Sequence, residues 1–234
     1  EMESSISIIG IDHACKLTYK NRKFFIHVPK VDKVIDCPSD VWCGIDPGLR
    51  DFMTVWSSKG ASHKYSRNDC IDNLINKKRR SLDNFDGDKK KEKKFKDRIR
   101  RRIKGVVSDL HWKTANELCR LYSEIAIGKL STIGIVRNCR RTTLGAFNKD
   151  KAYALSHFMF RERLKYKCKQ YGRVYHEINE YQTSITCNKC KHLHKKLGAS
   201  KVFECPHCSM IMDRDVNASI NIFNKTNFGN VAPV

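Results

Sequence analysis

Two Cys-x-x-Cys pairs near the carboxyl end constrain the fold of this 234-residue chain more than any other feature. Cys187 and Cys190 form the first pair, Cys205 and Cys208 form the second, and fourteen residues separate the pairs. Each pair can bring two thiolates to one ion, and two pairs complete a tetrahedral zinc site with no open position. The spacing predicts a zinc ribbon over residues 181–208 with one structural Zn²⁺. The alternative is two unrelated hairpins with free thiols.

The charge of the chain favours a polyanionic partner. Forty-six Lys and Arg against twenty-five Asp and Glu give a formal net charge of +21. Self-repulsion of this size destabilises a compact state unless a polyanion shares the surface, and nucleic acid fits that role. We find no apolar run of transmembrane length and no signal-peptide pattern, so we expect no membrane partner. The seven cysteines outside the pairs are scattered singly, which is typical of reduced thiols and predicts an intracellular protein, nuclear in a eukaryote and otherwise cytoplasmic.

A helical stretch from about residue 71 to residue 122 concentrates positive charge. Apolar residues recur every three or four positions along its second half, which predicts one buried stripe. Between residues 77 and 104 there are fifteen Lys or Arg and five Asp or Glu, an excess that i,i+4 pairing cannot balance. We expect a phosphate-facing surface, with a solvated helix face as the alternative. The residues predicted to bind nucleic acid are Lys77, Lys78, Arg79, Arg80, Arg100, Arg101 and Arg102, together with Arg140 and Arg141 from a later connection.

Short β-type runs alternate with helical stretches along the rest of the chain. Residues 1–40 predict a small antiparallel segment with too few strands to fold alone. An apolar strand then ends at Asp46, and a Pro-Gly turn and two more strands follow. Residues 123–130 and 173–181 predict two further strands, and residues 213–225 predict a closing helix. A helix without Gly or Pro is predicted from about Lys151 to Tyr171, with Leu155, Phe158, Met159 and Leu164 in its core face.

Asp46 and Asp215 are candidate metal ligands because each lies at the end of a predicted element. Phosphodiester hydrolysis without a covalent intermediate uses two divalent ions roughly 3.5–4 Å apart. Hard ions such as Mg²⁺ require carboxylates from different parts of the chain. Taken singly, each aspartate has a simpler explanation, since Asp46 fits a turn and either Asp213 or Asp215 fits a helix N-cap.

Three motifs in order along the chain carry a resemblance to a known family. They are GIDPGLRDF (44–52), the run EYQTSITC that opens with Glu180, and DRDVNASINI (213–222), with the cysteine pairs before the last. They resemble the RuvC-like nuclease half of the transposon-encoded TnpB (OrfB) proteins and of their eukaryotic and viral relatives, the Fanzors. Asp46 matches the metal-binding aspartate of the first motif, and Asp215 matches the second aspartate of the last.

The resemblance covers residues 41–224 and implies an α/β fold. It implies an RNase H-like (RuvC) mixed sheet flanked by helices, formed by residues 41–180 and 209–234, with the ribbon inserted. It further implies a DNA endonuclease associated with a transposable element, with two Mg²⁺ as cofactors and with guide RNA and target DNA as partners. Family members are considerably longer than this chain. One alternative is a nuclease-inactive, nucleic-acid-binding remnant, and another is a zinc-ribbon interaction module on a degenerate scaffold.

The third metal ligand is where this sequence departs from the family pattern. The second family motif usually has a glutamate at the end of a strand where this chain has Gly128. In the Fanzor branch a relocated glutamate occupies the E-x-x-T-S motif, and Glu180 matches it. Glu177 and Glu180 lie three residues apart and so would face opposite sides of a strand. We predict that Glu180 completes the catalytic metal site with Asp46 and Asp215, with Glu177 as the alternative.

Overall fold

The chain divides into two compact units, residues 1–34 and residues 35–234. The computed structural model describes residues 14–20, 23–28, 40–66, 68–80, 88–137, 145–198, 200–226 and 228. In the first unit, β1 (Lys16–Lys20) pairs antiparallel with β2 (Lys23–His27), which agrees with two of the predicted strands. A further β-type run at residues 5–10 lies outside the described residues.

A five-stranded mixed sheet, in the order β5-β4-β3-β6-β7, forms the centre of the second unit. Its strands are β3 (Trp42–Pro47), β4 (Met53–Ser57), β5 (Ser62–Tyr65), β6 (Glu124–Gly128) and β7 (Val174–Ile178). The first three form an antiparallel meander, whereas β6 runs parallel to β3 and β7 runs parallel to β6. The carboxyl ends of β3, β6 and β7 therefore meet at one edge of the sheet.

Helices cover both faces of this sheet. They are α1 (Asn68–Arg80), α2 (Lys89–Leu121), α3 (Thr132–Arg137), α4 (Ala146–Leu155), α5 (His157–Gln170) and α6 (Arg214–Asn224). The core on one face joins Cys43 and Ile45 of β3 to the buried sides of α1, α2 and α5. Gly44, which alternates with them, faces α6 on the other side. No helix in the described part of the chain is long and apolar enough to cross a membrane.

The single helix predicted over residues 151–171 is wrong, because the structure has two helices there. Ser156 adopts a left-handed backbone conformation (φ 46°) between α4 and α5, which interrupts the helical hydrogen bonds. The two helices therefore do not share one buried face, and in α5 it is Phe160 that is fully buried. Phe158 and Met159, predicted as core residues, are instead 60% and 45% exposed.

The cysteine-rich segment forms a compact lobe with its own small core. Strands β8 (Val202–Glu204) and β9 (Ile211–Asp213) pair antiparallel. Leu197 and Phe203 are buried beside Cys187 and Cys205. Because β9 ends at the residue that precedes α6, the lobe connects directly to the start of the last helix.

Candidate metal centre and nucleic-acid interface

Asp46 lies near the carboxyl end of β3, next to the end of β6. The parallel register pairs Ile45 with Ile127, so the following residues, Asp46 and Gly128, lie side by side at one edge of the sheet. Ile45 points into the core, and side chains alternate along a strand. Asp46 therefore faces away from that core and toward α6.

The close approach of α6 to β3 brings Asp215 to Asp46. A Cβ atom added to Gly44 would lie 2.6 Å from the backbone oxygen of Ser219 and 2.6 Å from the backbone nitrogen of Phe223. Asp215 lies one helical turn before Ser219, and Asp46 lies two residues after Gly44 on the same face of the strand. The two aspartates, far apart in sequence, thus belong to one site.

Asp213 is the residue that caps α6. Its carboxylate accepts hydrogen bonds from the backbone N–H groups of Asp215 (2.9 Å) and Val216 (3.1 Å). Lys64 Nζ donates to the same carboxylate at 2.7 Å. Partial burial acts to raise the pKa of Asp213, but these hydrogen bonds outweigh burial and lower the pKa. The N-cap role that competed for Asp215 in the sequence therefore belongs to Asp213.

Glu180 occupies the space that a side chain at position 128 would need. A Cβ atom added to Gly128 would lie 2.7 Å from Cγ and 2.9 Å from Cδ of Glu180. Because β7 ends at Ile178, the loop after the strand sets the direction of Glu180, and the predicted strand alternation does not apply. Oε1 of Glu180 is buried and has no hydrogen-bond partner within the described residues.

The other candidate glutamate, Glu177, contacts basic side chains instead. Its Oε1 atom lies 3.5 Å from Arg161 Nε and 3.5 Å from Lys129 Nζ. Glu177 is an exposed residue whose side chain is 32% accessible, whereas Glu180 is partly buried. Of the two glutamates, the structure brings Glu180 to the end of β6 beside Asp46.

Burial and neighbouring charge act on two of the three carboxylates. Burial raises the pKa of Asp46 well above its ordinary value, and the charges of Glu180 and Asp215 raise it further. Burial also raises the pKa of Glu180 to about 7, against the opposing charge of Arg161. Crowded carboxylates with an unpartnered buried oxygen fit a hard divalent cation, because Mg²⁺ prefers carboxylate oxygens.

His157 at the start of α5 fixes the turn that follows Asp46. Its Nε2 lies 3.0 Å from the carbonyl oxygen of Gly48, and its ring stacks on Phe52 at a centroid distance of 5.3 Å. Burial lowers the pKa of His157 to about 4, so the ring is neutral near pH 7. A carbonyl oxygen only accepts, so Nε2 carries the proton and donates it. Sequence reasoning missed both His157 and Lys64, because no local pattern distinguishes a residue whose partner is distant in sequence.

A cleft of about 1240 Å³ opens beside Asp215. Side chains from the Pro-Gly turn, β5, α1, α2, α4 and the ribbon line it. Its basic residues are Arg50, Lys64, Lys151 and Lys201, interspersed with aspartates. The volume exceeds the roughly 300–1,000 Å³ that is usual for small-molecule pockets. The cleft therefore suits a polymer better than a metabolite.

Four thiols converge in the ribbon as the spacing predicts. The Sγ atoms of Cys187, Cys190, Cys205 and Cys208 all lie within 4.8 Å of one another. The Cys187–Cys208 distance is 3.7 Å and the Cys190–Cys205 distance is 3.5 Å. Four thiolates at about 2.3 Å from a tetrahedral zinc are separated by about 3.8 Å. The cluster could thus bind one zinc ion.

The predicted phosphate-binding residues differ in their surroundings. Five are exposed, namely Lys77, Arg80, Arg100, Arg101 and Arg102. Lys78 Nζ and Arg79 NH1 lie 3.8 Å and 3.6 Å from Asp150 Oδ2, so their charges are partly balanced. Arg140 and Arg141 lie outside the described residues.

The fold and the site together define a class of protein. An antiparallel meander continued by two parallel strands, with acidic residues at the end of β3 and at the start of α6, is the RNase H-like fold of the RuvC type. Two cryo-EM structures share the fold. A Cas12f1–sgRNA–target DNA complex gives a TM-score of 0.57 at 16% identity, over 90% of this chain and 55% of that chain. A CRISPR–Cas12f ternary complex gives 0.56 at 19% identity, over 94% and 46%.

Sequence relatives specify the class further. Residues 157–222 match the family described as "Cas12f1-like, TNB domain". "TnpB-like protein L770" of Acanthamoeba polyphaga mimivirus is 35% identical over 95% of this chain and 45% of its own length. "CRISPR-associated endodeoxyribonuclease Cas12f1" of an uncultured archaeon is 26% identical over 85% and 40%. The chain belongs to the family of TnpB-like proteins, and it spans about half the length of the curated relatives it matches.

Proposed function

We propose that this chain is the nuclease part of an RNA-guided, Mg²⁺-dependent DNA endonuclease associated with a transposable element. The convergence of Asp46, Glu180 and Asp215 carries the proposal. Burial, and then the charges of Glu180 and Asp215, raise the pKa of Asp46, and a buried oxygen of Glu180 has no hydrogen bond within the described residues. Guide RNA and target DNA are the proposed partners. The two structures with this fold are Cas12f complexes, one of which is a complex with sgRNA and target DNA.

In this proposal the three carboxylates hold a pair of Mg²⁺ ions. Bound there, divalent metal supplies an activated water and offsets the charge on the leaving oxygen of a phosphodiester. Asp46, Glu180 and Asp215 come from β3, the loop after β7 and α6, so tertiary packing sets the spacing of their oxygens. Lys64 holds the cap of α6 through Asp213, and His157 holds the turn after Asp46.

The cleft beside Asp215 is the proposed path of the DNA strand. Arg50 and Lys201 line it, are exposed and can contact phosphates. Lys151 also lines it, but it is buried and pairs with Asp72 at 3.0 Å. The exposed arginines of α2 add affinity that does not depend on sequence. In the ribbon, the four cysteines hold one structural Zn²⁺, which closes the lobe that leads into α6.

Cleavage assays on matched glutamate variants test the catalytic proposal. Single-stranded and duplex DNA are incubated with the protein and its copurifying RNA, in Mg²⁺ and in EDTA. Glu180→Gln should abolish Mg²⁺-dependent cutting as fully as Asp46→Asn or Asp215→Asn, while DNA binding and zinc content persist. Glu177→Gln is the control and should cut normally, because that side chain pairs with Arg161 and Lys129. A wild-type protein that binds DNA without cutting it would instead be a nuclease-inactive remnant.

A further inference from the structure

A groove of about 470 Å³ lies between α1, α2, α4 and α5. We call it the helix-layer groove. Its apolar lining consists of Ile75, Ile103, Val107, Ala154 and Met159. Tyr153 also lines it and is 59% exposed. The three carboxylates of the candidate metal centre are not among its described lining residues, so the groove is a separate site.

The helix-layer groove combines its apolar lining with an excess of cations. Lys78, Arg100, Lys104 and Arg163 line it. Asp150 is the one acidic residue among the described lining side chains, and it lies 3.8 Å from Lys78 Nζ. Arg100 also pairs with Asp97 at 3.2 Å, outside the groove lining. Cations around an exposed aromatic ring complement a ligand that joins a flat ring to a phosphate, which is the chemistry of a nucleotide.

Arg163 extends this surface along the contact between α2 and α5. Its guanidinium carbon lies 5.2 Å from the ring centroid of Trp112, and an Arg163 nitrogen lies 3.1 Å from His111 Nδ1. Trp112 meets Tyr166 edge to face at 6.2 Å, and Lys167 Nζ lies 5.6 Å from the Trp112 ring. Guanidinium planes and aromatic faces both stack on unpaired bases.

The position of the groove indicates a nucleic acid that is held and not cut. α2 turns different residues to the two sites, with Ile103, Lys104 and Val107 lining the groove. Its Gly105, Val106 and Asp109 line the cleft beside Asp215 instead. Folded RNA presents unpaired bases in loops and bulges, and such bases are what aromatic side chains recognise. We propose that the helix-layer groove binds an unpaired nucleotide of the RNA partner, with its base on Tyr153 and its phosphate at Lys104 and Arg163.

RNA-binding measurements on Tyr153 variants test this inference, which rests on the proposed function only for the identity of the partner. The probes are an RNA hairpin with an unpaired loop, a fully paired RNA duplex, and a DNA hairpin of the same sequence. Tyr153→Ala should weaken binding of the looped RNA about tenfold and leave the paired duplex nearly unchanged. Tyr153→Phe retains a ring for stacking and should bind like the wild type. Because Tyr153 is exposed, its replacement should not unfold the protein, so weaker RNA binding would not result from misfolding. The thermal midpoint of each variant checks this.

Two further variants separate the groove from general charge and from catalysis. Lys104→Gln should weaken looped RNA more than Arg98→Gln, since Arg98 is exposed on the same helix but does not line the groove. Glu180→Gln should leave RNA affinity unchanged, so failure of cleavage and failure of RNA binding are distinguishable. The inference is overturned if Tyr153→Ala binds looped RNA as the wild type does, or if it loses looped and paired RNA equally. It is also overturned if Tyr153→Ala loses more affinity for DNA than for RNA, or changes the oligomeric state instead of the RNA affinity.

Discussion

At the carboxyl end of β6, the side chain of Glu180 fills the space that Gly128 leaves open. The Cγ and Cδ atoms of Glu180 lie 2.7 Å and 2.9 Å from the position that a Cβ atom on Gly128 would take, which is too close for both to fit. A glutamate at position 128 would send its carboxylate into the same space. Glu180 thus places a carboxylate, from the loop after β7, beside the position where a glutamate on the strand would place one, which agrees with the prediction that Glu180 is the third metal ligand.

Burial of Glu180 predicts that stability depends on pH when metal is absent. The pKa of Glu180 is about 7 in the folded state and 4.5 for the ordinary group, so the folded state binds this proton more tightly than the unfolded state does. Folding is favoured at low pH, and stability falls as pH rises from 4.5 toward about 7. Glu180→Gln should remove on the order of 1–2 kcal/mol of this fall.

Urea unfolding in EDTA at several pH values across that window measures the effect. Added Mg²⁺ should restore stability to the wild type at the alkaline end, because binding to the folded state alone stabilises it. Glu177→Gln serves as the control and should follow the wild-type profile. If stability falls with pH equally in the wild type and in Glu180→Gln, ionisation of Glu180 does not destabilise the folded state and burial does not raise its pKa.

At the scale of elements, the contact between β3 and α6 sets the geometry of the site. Backbone atoms of Ser219 and Phe223 surround the position of a Cβ on Gly44, and backbone atoms cannot rotate aside. Gly44→Ala should therefore displace α6 and lower the free energy of unfolding by about 1–3 kcal/mol. Gly105→Ala is the control, because its added methyl group meets nothing within 4 Å in the middle of α2 and should stabilise by roughly 0.5–1 kcal/mol. Denaturant unfolding of both variants measures the two changes in stability. A loss in Gly44→Ala alone indicates the tight contact between β3 and α6, whereas a loss in both indicates a general effect of alanine.

The ribbon should depend on its metal for stability. Cys205→Ser removes one of four converging thiols, so zinc content and thermal midpoint should fall together. Cys70→Ser is the comparison, since Cys70 is exposed on α1 and should change neither quantity. Elemental analysis of protein purified without chelators gives the zinc content. A zinc-free wild type with an unchanged midpoint on adding Zn²⁺ would mean that the thiols are simply packed together.

Local patterns predicted the elements whose causes are local. Continuous apolar runs indicated β3 and β6, and the cysteine spacing indicated the thiol cluster, because each depends on neighbours in sequence. The break at Ser156 was missed, since no Gly or Pro marks it and a left-handed serine is a tertiary outcome. The orientation of the Glu180 side chain was also not predictable, because Glu180 lies in the loop after β7, where side chains do not alternate as they do in a strand. Asp213 was one of two N-cap candidates, and its local hydrogen bonds to Asp215 and Val216 decide between them, while the added contact from Lys64 is distant in sequence.

At the scale of the whole molecule, the net charge of +21 is unevenly placed. On α2, Arg101 and Arg102 are exposed and make no ion pair within the described residues, whereas Arg100 pairs with Asp97 at 3.2 Å. On α1, Lys78 and Arg79 lie close to Asp150. Unbalanced cations release counterions when they meet phosphates, and cations that already have a carboxylate partner contribute less. Arg101 and Arg102 should therefore contribute more to the salt dependence of nucleic-acid binding than Arg100, Lys78 or Arg79.

Replacement of Arg100, Arg101 and Arg102 with Gln should weaken DNA binding by a similar factor for every sequence. The slope of log K against log salt should flatten by up to about 0.9 for each duplex phosphate that the variant no longer neutralises. Single substitutions sharpen the test, because Arg101→Gln removes an exposed cation whereas Arg79→Gln removes one that lies 3.6 Å from Asp150. Titrations at several salt concentrations should give a larger change of slope for Arg101→Gln than for Arg79→Gln. If the triple variant keeps the wild-type slope, these arginines face solvent in the complex and the DNA lies along another surface.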